Sequence, residues 1–167
     1  MNGRVTGFLA FLAAFLLQYG LRFFLPAGVP VPALVLFLTA ALVYLYQDSL
    51  LWMIYGAVFI FASDLLTGLW PGAGLLAVIC VELLTLAFRY FFNVENLMNT
   101  ILYACLVPPV YMSVLWLIVT LCGSTYSYTY MIGSWPFQIV YSAICITLIW
   151  RVMLRRVVPH RQDRYFS

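Results

Sequence analysis

Apolar stretches separated by short polar or proline-rich turns repeat along the whole chain. An α-helix needs about 20 consecutive apolar residues to cross a bilayer, and all but the second stretch approach or exceed that length. The pattern predicts six transmembrane helices, followed by a basic tail over residues 155–167. The expected helix bounds are residues 5–25, 33–46, 50–69, 74–92, 97–122 and 135–154.

The composition agrees with this pattern. Of the 167 residues, 66% are hydrophobic and only 8% are charged, whereas soluble domains carry about 25% charged residues. The first apolar run is longer than the roughly 7–15 residues of a signal peptide core, so we expect a retained first helix. The fold class predicted is an all-α integral membrane protein, with one transmembrane domain over residues 1–167.

Prolines and tyrosines modify the pattern in two places. Pro108 and Pro109 lie inside the fifth stretch, where we expect a kinked or broken helix because proline removes a backbone donor. Residues 123–134 form the longest polar and aromatic connection. Its alternating tyrosines predict either a partner-binding edge or an aromatic belt at the membrane interface, where tyrosine is enriched. These tyrosines are Tyr126, Tyr128 and Tyr130.

Arginines set the expected orientation, because short loops rich in Lys and Arg stay in the cytoplasm. With six helices, both termini lie on one side of the membrane. That side collects seven arginines, and the other side receives only Arg22. We therefore expect both termini in the cytoplasm. The seven arginines are Arg4, Arg89, Arg151, Arg155, Arg156, Arg161 and Arg164.

The stretch from Gly56 to Arg89 is the most informative for function. Two apolar segments meet at the tight turn 68–72, and each segment holds one acid, Asp64 or Glu82. The two acids are equally far in sequence from the middle of the hairpin, which predicts similar depths in the membrane. An acid inside a membrane helix is energetically costly and faces protein or a cavity rather than lipid.

Several interpretations of the two acids remain open. Arg22 lies near the same end of its helix as Asp64, so a buried Arg22–Asp64 ion pair would fix helix packing. Glu82 either joins that pair or stays protonated, because burial disfavours the charged form. Alternatively, the two acids form a proton or cation relay, although no second acidic pair and no inverted repeat accompany them.

Catalytic and metal motifs are missing from the sequence. An aspartyl-type intramembrane hydrolase needs two close carboxylates that share a proton, and here one acid is a glutamate outside any glycine-rich catalytic motif. No Ser/His pair, zinc-protease motif or phosphate loop is present. The four cysteines are spread singly through apolar segments, without metal-ligand spacing. We expect that the protein is not an enzyme, that it uses no cofactor or metal, and that it has no nucleic-acid partner.

The order of these features resembles the bacterial rod shape-determining protein MreD family. The resemblance covers most of the chain and is most specific between Pro32 and Arg89. It rests on small size, helix count and a short basic tail, and on a set of residues in chain order. These are Gln18, the Pro32-Ala-Leu-Val-Leu start of the second helix, Asp64, Gly68, Gly74 and the Arg89 that ends the fourth helix.

The resemblance implies a non-enzymatic scaffold of the cell-elongation complex in the bacterial inner membrane. Such a protein binds MreC, a bitopic membrane protein, and is linked through it to the MreB filament. It also connects to RodA and its transpeptidase in peptidoglycan synthesis, and it contacts membrane lipids. Asp64, Gly68 and Gly74 would be motif positions that hold the third and fourth helices together, with Glu82 and Arg22 as further structural or partner-binding candidates.

A second resemblance remains open. The substrate-binding S component of an energy-coupling-factor vitamin transporter also has six helices and both ends in the cytoplasm. Ala10 and Ala14 match the small-residue spacing by which its first helix docks the coupling subunit, a spacing common in membrane helix packing. That interpretation implies a vitamin pocket lined by Arg22, Asp64 and residues 126–130. A fold shared by the two families is consistent with both resemblances, so architecture alone would not separate them.

Overall fold

The structure is a computed structural model that describes residues 3–26, 29–46, 50–67, 70–123 and 128–162. Side chains are described within these ranges except at residues 3–4, 128–131 and 154–162. The described residues form six α-helices and no strand. The helices are α1 (Gly3–Phe24), α2 (Leu34–Leu45), α3 (Leu50–Thr67), α4 (Ala73–Phe91), α5 (Leu97–Leu121) and α6 (Tyr128–Gln162).

Five of the six helices are long and apolar enough to cross a membrane. The exception is α2, whose 12 residues extend about 18 Å at 1.5 Å per residue. A bilayer core is about 30 Å thick, so α2 alone does not span it. The prediction of an all-helical multi-pass membrane protein is confirmed. Of the six transmembrane helices predicted, five are long enough to span a membrane, and the second, expected to be short, is not.

The short helix α2 lies at the centre of the bundle. It packs against α1, α3, α4 and α6, and it is apolar on all sides, as expected of a buried helix. Its buried residues are Val35, Leu36, Phe37, Thr39, Ala40, Ala41, Leu42, Val43 and Tyr44. The α3–α4 hairpin, which the sequence singles out, packs beside this core helix and does not form the centre itself.

Two glycines allow close packing of α3 against its neighbours. A Cβ at Gly7 of α1 would overlap the Trp52 ring, and a Cβ at Gly56 would overlap the side chain of Thr39 in α2. Small residues permit such approaches between membrane helices. Ala10, by contrast, is exposed at the surface of α1, so the expected small-residue face of this helix is only partly used inside the chain.

Helix α5 runs through both prolines without a break. Pro108 has no N–H to donate to the carbonyl of Ala104 four residues earlier. The hydroxyl of Ser142 in α6 donates to that carbonyl over 2.7 Å, and Ser142 is fully buried. The broken helix, one of the two alternatives expected here, does not occur. A neighbouring helix supplies the missing donor for one of the two carbonyls that the prolines leave unbonded.

We expect Ser142→Ala to lower the free energy of unfolding by about 1 kcal/mol, since hydrogen bonds between membrane helices contribute roughly that much. The same substitution should cost less in a Pro108→Ala background, where residue 108 can donate to Ala104. Chemical unfolding of the four proteins in one detergent, read as a double-mutant cycle, measures the difference. An equal cost in both backgrounds would contradict this role of Ser142.

The bounds of α6 differ from the prediction. The helix begins at Tyr128, seven residues before the expected start, and its backbone continues to Gln162. Tyr128 and Tyr130 thus lie in its first turn. Their side chains and Tyr126 lie outside the described part of the chain, so the partner-binding edge and the aromatic belt both stay predictions. Trp135, the expected start of the helix, lies within it instead.

Candidate functional site

The connection between α3 and α4 is a tight turn formed by residues 70–73. The Ala73 N–H donates to the Trp70 carbonyl over 3.0 Å, and Gly72 has φ +92° and ψ −4°. Proline at the second position and a left-handed glycine at the third define a type II turn. The predicted turn is confirmed, and Gly72 is needed there because a Cβ disfavours positive φ.

Asp64 caps the start of α4 from the neighbouring helix. Its Oδ2 accepts a 2.9 Å hydrogen bond from the Gly74 N–H, and the backbone N–H groups of Gly72 and Leu75 interact with the same carboxylate. The first N–H groups of a helix have no partner within the helix, and Gly72 has no side chain to supply one. Asp64, only 3% exposed, fills that role from α3.

The contact between Asp64 and Gly74 leaves no space for a side chain at position 74. A Cβ there would overlap the Asp64 carboxylate and would lie 3.0 Å from the hydroxyl of Tyr111 in α5. At the neighbouring position of α3, the Tyr19 hydroxyl of α1 pairs with the Ser63 hydroxyl over 2.7 Å. Side chains of α1, α3 and α5 therefore meet around the start of α4, in a polar cluster we call the hairpin cluster (Tyr19, Ser63, Asp64, Gly74 and Tyr111).

We expect Gly74→Ala to destabilise the protein by about 1–3 kcal/mol, the range for overpacking a close contact. Gly133→Ala is the matched control, since a Cβ at Gly133 of α6 meets nothing within 4 Å and alanine is favoured over glycine in helices. Thermal unfolding of the two purified variants separates them. A Gly74→Ala protein as stable as the Gly133→Ala protein would contradict the close contact with Asp64.

Two glutamines cap the start of the central helix α2. The Val35 N–H donates to Gln18 of α1 over 3.2 Å, and the Ala33 N–H donates to Gln138 of α6 over 3.3 Å. Gln138 also donates to the Val31 carbonyl over 2.6 Å. Backbone polar groups within a membrane need protein partners. The two glutamines thus allow α2 to begin inside the bundle, after a non-helical segment.

Arg89 caps the other end of α2. Its Nη1 donates to the carbonyls of Val43 and Tyr46, over 2.9 Å and 2.7 Å. The last carbonyls of a helix lack partners within it, and a cation there also interacts favourably with the helix dipole. Both ends of the short α2, and the start of α4, are therefore satisfied by side chains from other helices. We call Gln18, Asp64, Arg89 and Gln138 the capping residues.

Glu82 occupies a different environment, in the middle of α4. It is 5% exposed, and its Oε1 is buried without a hydrogen-bond partner. One turn further along α4, the Thr85 hydroxyl pairs with the Tyr103 hydroxyl of α5, which also donates to the Ala40 carbonyl of α2 over 3.3 Å. Tyr44 of α2 stacks on the Tyr103 ring, and we call Tyr44, Glu82, Thr85 and Tyr103 the core cluster.

The two acids do not lie at matched depths. Asp64 contacts the first turn of α4, whereas Glu82 lies eight residues further along that helix, about 12 Å at 1.5 Å per residue. The expectation of equal depth was wrong because the helices extend unequally from the turn. Asp64 is three residues from the end of α3 at Thr67, and Glu82 is nine from the start of α4 at Ala73.

Arg22, another candidate residue, joins neither cluster. Arg22 is exposed, and neither it nor Asp64 has an ion pair in the part of the chain that the structure describes. The buried Arg22–Asp64 pair is therefore not formed, because backbone N–H groups of α4 satisfy the carboxylate instead. Gly68 lies outside the described residues.

Gln138 and Ser142 were missed by the sequence analysis. Both are buried polar residues of α6, four positions apart on one helix face. A polar side chain within a membrane helix signals an interior position, which is the signal that would have found them. Within the described ranges, no group of three His, Cys, Asp or Glu side chains is placed to hold a metal ion. The chemistry that the capping residues perform is hydrogen bonding to helix ends.

Comparisons of the chain with protein-family models, with curated proteins and with solved structures find no significant match. They therefore do not test the resemblance to the rod shape-determining family, which stays a prediction.

Proposed function

We propose that the protein is a non-enzymatic membrane scaffold of the bacterial cell-elongation complex, in the inner membrane with both termini in the cytoplasm. In this role it binds a bitopic MreC-like protein. Through that protein it links the MreB filament to RodA and its transpeptidase, and so helps to regulate cell shape. The proposal continues the family resemblance of the sequence and is supported by the geometry of the α3–α4 hairpin.

The observation that carries the proposal is the hydrogen bond from the Gly74 N–H to Asp64. These are two of the three positions on which the resemblance rests most specifically, and they are in direct contact. Asp64 uses its carboxylate on backbone N–H groups, and Gly74 provides the space for it. A scaffold motif is expected to fix the relative position of two helices in this way.

The hairpin also presents a surface for a partner. The outer face of α4 carries apolar side chains at helical spacing, which are Leu76, Ile79, Leu83, Leu86 and Tyr90, all exposed. A membrane helix of a bitopic protein packs against such a face mainly through van der Waals contacts. Holding α3 and α4 in fixed register keeps this face in one shape, which favours one partner over lipid.

The test is affinity purification of the tagged protein from native membranes in mild detergent, with proteins and small molecules identified by mass spectrometry. Recovery of a coiled-coil bitopic protein together with wall-synthesis enzymes is the expected result. Stoichiometric recovery of a vitamin with a transporter ATPase module would overturn the proposal and support the S-component alternative. A matched preparation of another tagged multi-pass protein controls for non-specific capture.

A further inference from the structure

The two buried acids of the hairpin differ in what surrounds them. Asp64 faces the N-terminus of α4 and accepts a hydrogen bond from the Gly74 N–H. Such donors, and the positive end of a helix dipole, stabilise a negatively charged carboxylate. Glu82 is buried to a similar degree, yet its Oε1 has no donor. The surroundings of Asp64 therefore favour the charged form of its carboxyl group, whereas those of Glu82 favour the neutral form.

The helices packed around Glu82 present no described cation that would balance a negative charge. On α5 the neighbouring titratable group is Tyr103, which interacts electrostatically with Glu82 and with Tyr44 of α2. On α3 the acidic group is Asp64, which contacts α4 about two turns from Glu82. Two of these groups are phenols and one is an acid, so none supplies positive charge.

The nearest arginine along the sequence is already engaged. Arg89 lies two turns after Glu82 on α4, and its Nη1 donates to the two carbonyls at the end of α2. The chain contains no lysine. Arg22 and Arg151, the other arginines with described side chains, are exposed. No described cation is therefore placed to neutralise Glu82.

Burial without a partner decides the state of such a group. Removing an unpaired carboxylate from water costs so much that the group normally takes up a proton instead. The neutral acid also gains an O–H donor, which suits a cluster of hydroxyl and carbonyl oxygens. The core cluster is of that kind, because Thr85, Tyr103 and the Ala40 carbonyl already share hydrogen bonds between α4, α5 and α2.

We propose that Glu82 is a proton-binding site in the interior of the bundle, neutral in the folded protein, whose loss of the proton weakens the packing of α4 against α2 and α5. The ligand is a single proton, and the site consists of Glu82 with the hydroxyl groups of the core cluster. This inference does not depend on the proposed function, since it rests on burial and on the groups that face Glu82.

The direction of the pH effect follows from linkage. A carboxyl that is neutral when folded and ionised when unfolded gives the folded state the larger number of bound protons. The free energy of unfolding then falls as pH rises above the ordinary range of a glutamate. An acid stabilised in its charged form would have the opposite effect, with stability lost at low pH.

The first experiment observes the proton directly. The chain has two glutamates, Glu82 and Glu95, so Glu95→Gln leaves Glu82 as the single glutamate. Carboxyl-¹³C-glutamate is incorporated into this variant in lipid nanodiscs, and the charge state is read by NMR and by the infrared C=O band. A neutral carboxylic acid at pH 7 is the expected result. An ionised carboxylate at pH 7 would overturn the proposal.

The second experiment measures the coupling to packing. Between about pH 5 and about pH 8, a range above the ordinary titration of glutamate, the wild-type Tm should fall, and Glu82→Gln should remove most of that fall. Glu95→Gln, the same change at an exposed position in the α4–α5 turn, should leave it unchanged. A pH dependence that is identical in wild type and Glu82→Gln would contradict the coupling, even if Glu82 is neutral.

Discussion

Asp64→Ala is expected to lower the free energy of unfolding by about 2–4 kcal/mol. Hydrogen bonds to a charged group contribute about 1.5–3 kcal/mol, and a buried donor left without a partner adds to the loss. The substitution leaves the Gly74 N–H without its 2.9 Å acceptor and removes an acidic group from the start of a helix. Chemical unfolding in one detergent, with the wild type measured in parallel, gives this difference.

Asp64→Asn is the matched variant for the charge. Asparagine keeps one oxygen that can accept from Gly74 but loses the negative charge, so about half of the loss should be recovered. Membrane insertion should be unchanged in both variants, because one residue of a long apolar helix changes. If Asp64→Ala is as stable as wild type, α4 does not depend on its cap from α3.

The same variant connects stability to the proposed function. At equal expression, Asp64→Ala should recover less of the bitopic partner than wild type in the affinity purification, because the face of α4 is no longer held in register. If a destabilised Asp64→Ala protein recovers as much bitopic partner as wild type, the roles of Asp64 in stability and in partner binding are separate. The hairpin would then contribute to the fold without shaping the partner surface.

Arg89→Met is expected to cost a similar amount, about 2–4 kcal/mol. The substitution keeps an apolar side chain of comparable length but leaves the Val43 and Tyr46 carbonyls without the Arg89 donor. A buried acceptor without a partner costs about 1–3 kcal/mol. The substitution should also weaken packing in the hydrophobic core, because α2 packs against α1, α3, α4 and α6.

Two further variants make the Arg89 result specific. Arg89→Lys keeps the charge but lacks the planar fork of guanidinium donors, so it should restore the stability only in part. Arg151→Met removes an arginine from an exposed position of α6 and should change the stability by less than about 0.5 kcal/mol, as surface substitutions usually do. Equal losses at Arg89 and Arg151 would show that charge alone, and not the capping of α2, explains the effect.

The capping residues share one physical role, which is to satisfy backbone groups at helix ends. A helix that ends inside a membrane exposes backbone groups that water cannot satisfy. Here amide, carboxylate and guanidinium side chains satisfy such groups at both ends of α2 and at the start of α4. Each of these bonds joins two different helices, so it stabilises tertiary structure as well as a helix end.

The positions of the helices could be read from the sequence because they depend on local properties. Apolar length places α1, α3, α4 and α5 within about two residues of their observed bounds, and the Pro-Gly pair places the type II turn. The start of α6 was misplaced, since residues 128–134 mix polar and aromatic side chains whose local preference for a helix is weak. The unbroken α5 was also missed, because the donor for Ala104 comes from α6.

The candidate site was likewise predicted from the sequence only in part. The family resemblance implied that Asp64, Gly68 and Gly74 hold α3 and α4 together, and Asp64 and Gly74 are in contact. The sequence also singled out Glu82 as a buried acid, which the structure places in the interior without a donor. The partner of Asp64 could not be chosen from the sequence, because an arginine and a helix N-terminus are both chemically suitable. Distance, which only the packed bundle provides, excluded the arginine.

By itself, the sequence determined that this protein is all-helical and crosses a membrane several times, because hydrocarbon length and the lack of charged residues leave no other fold. It also identified Asp64 and Glu82 as interior acids, although it overlooked the buried Gln138 and Ser142. Only the tertiary structure decided that the short α2 is the core helix, that its ends are capped by α1, α4 and α6, and that Asp64 and Glu82 lie at different depths. Those outcomes depend on which helix faces which, and no local pattern of residues specifies that.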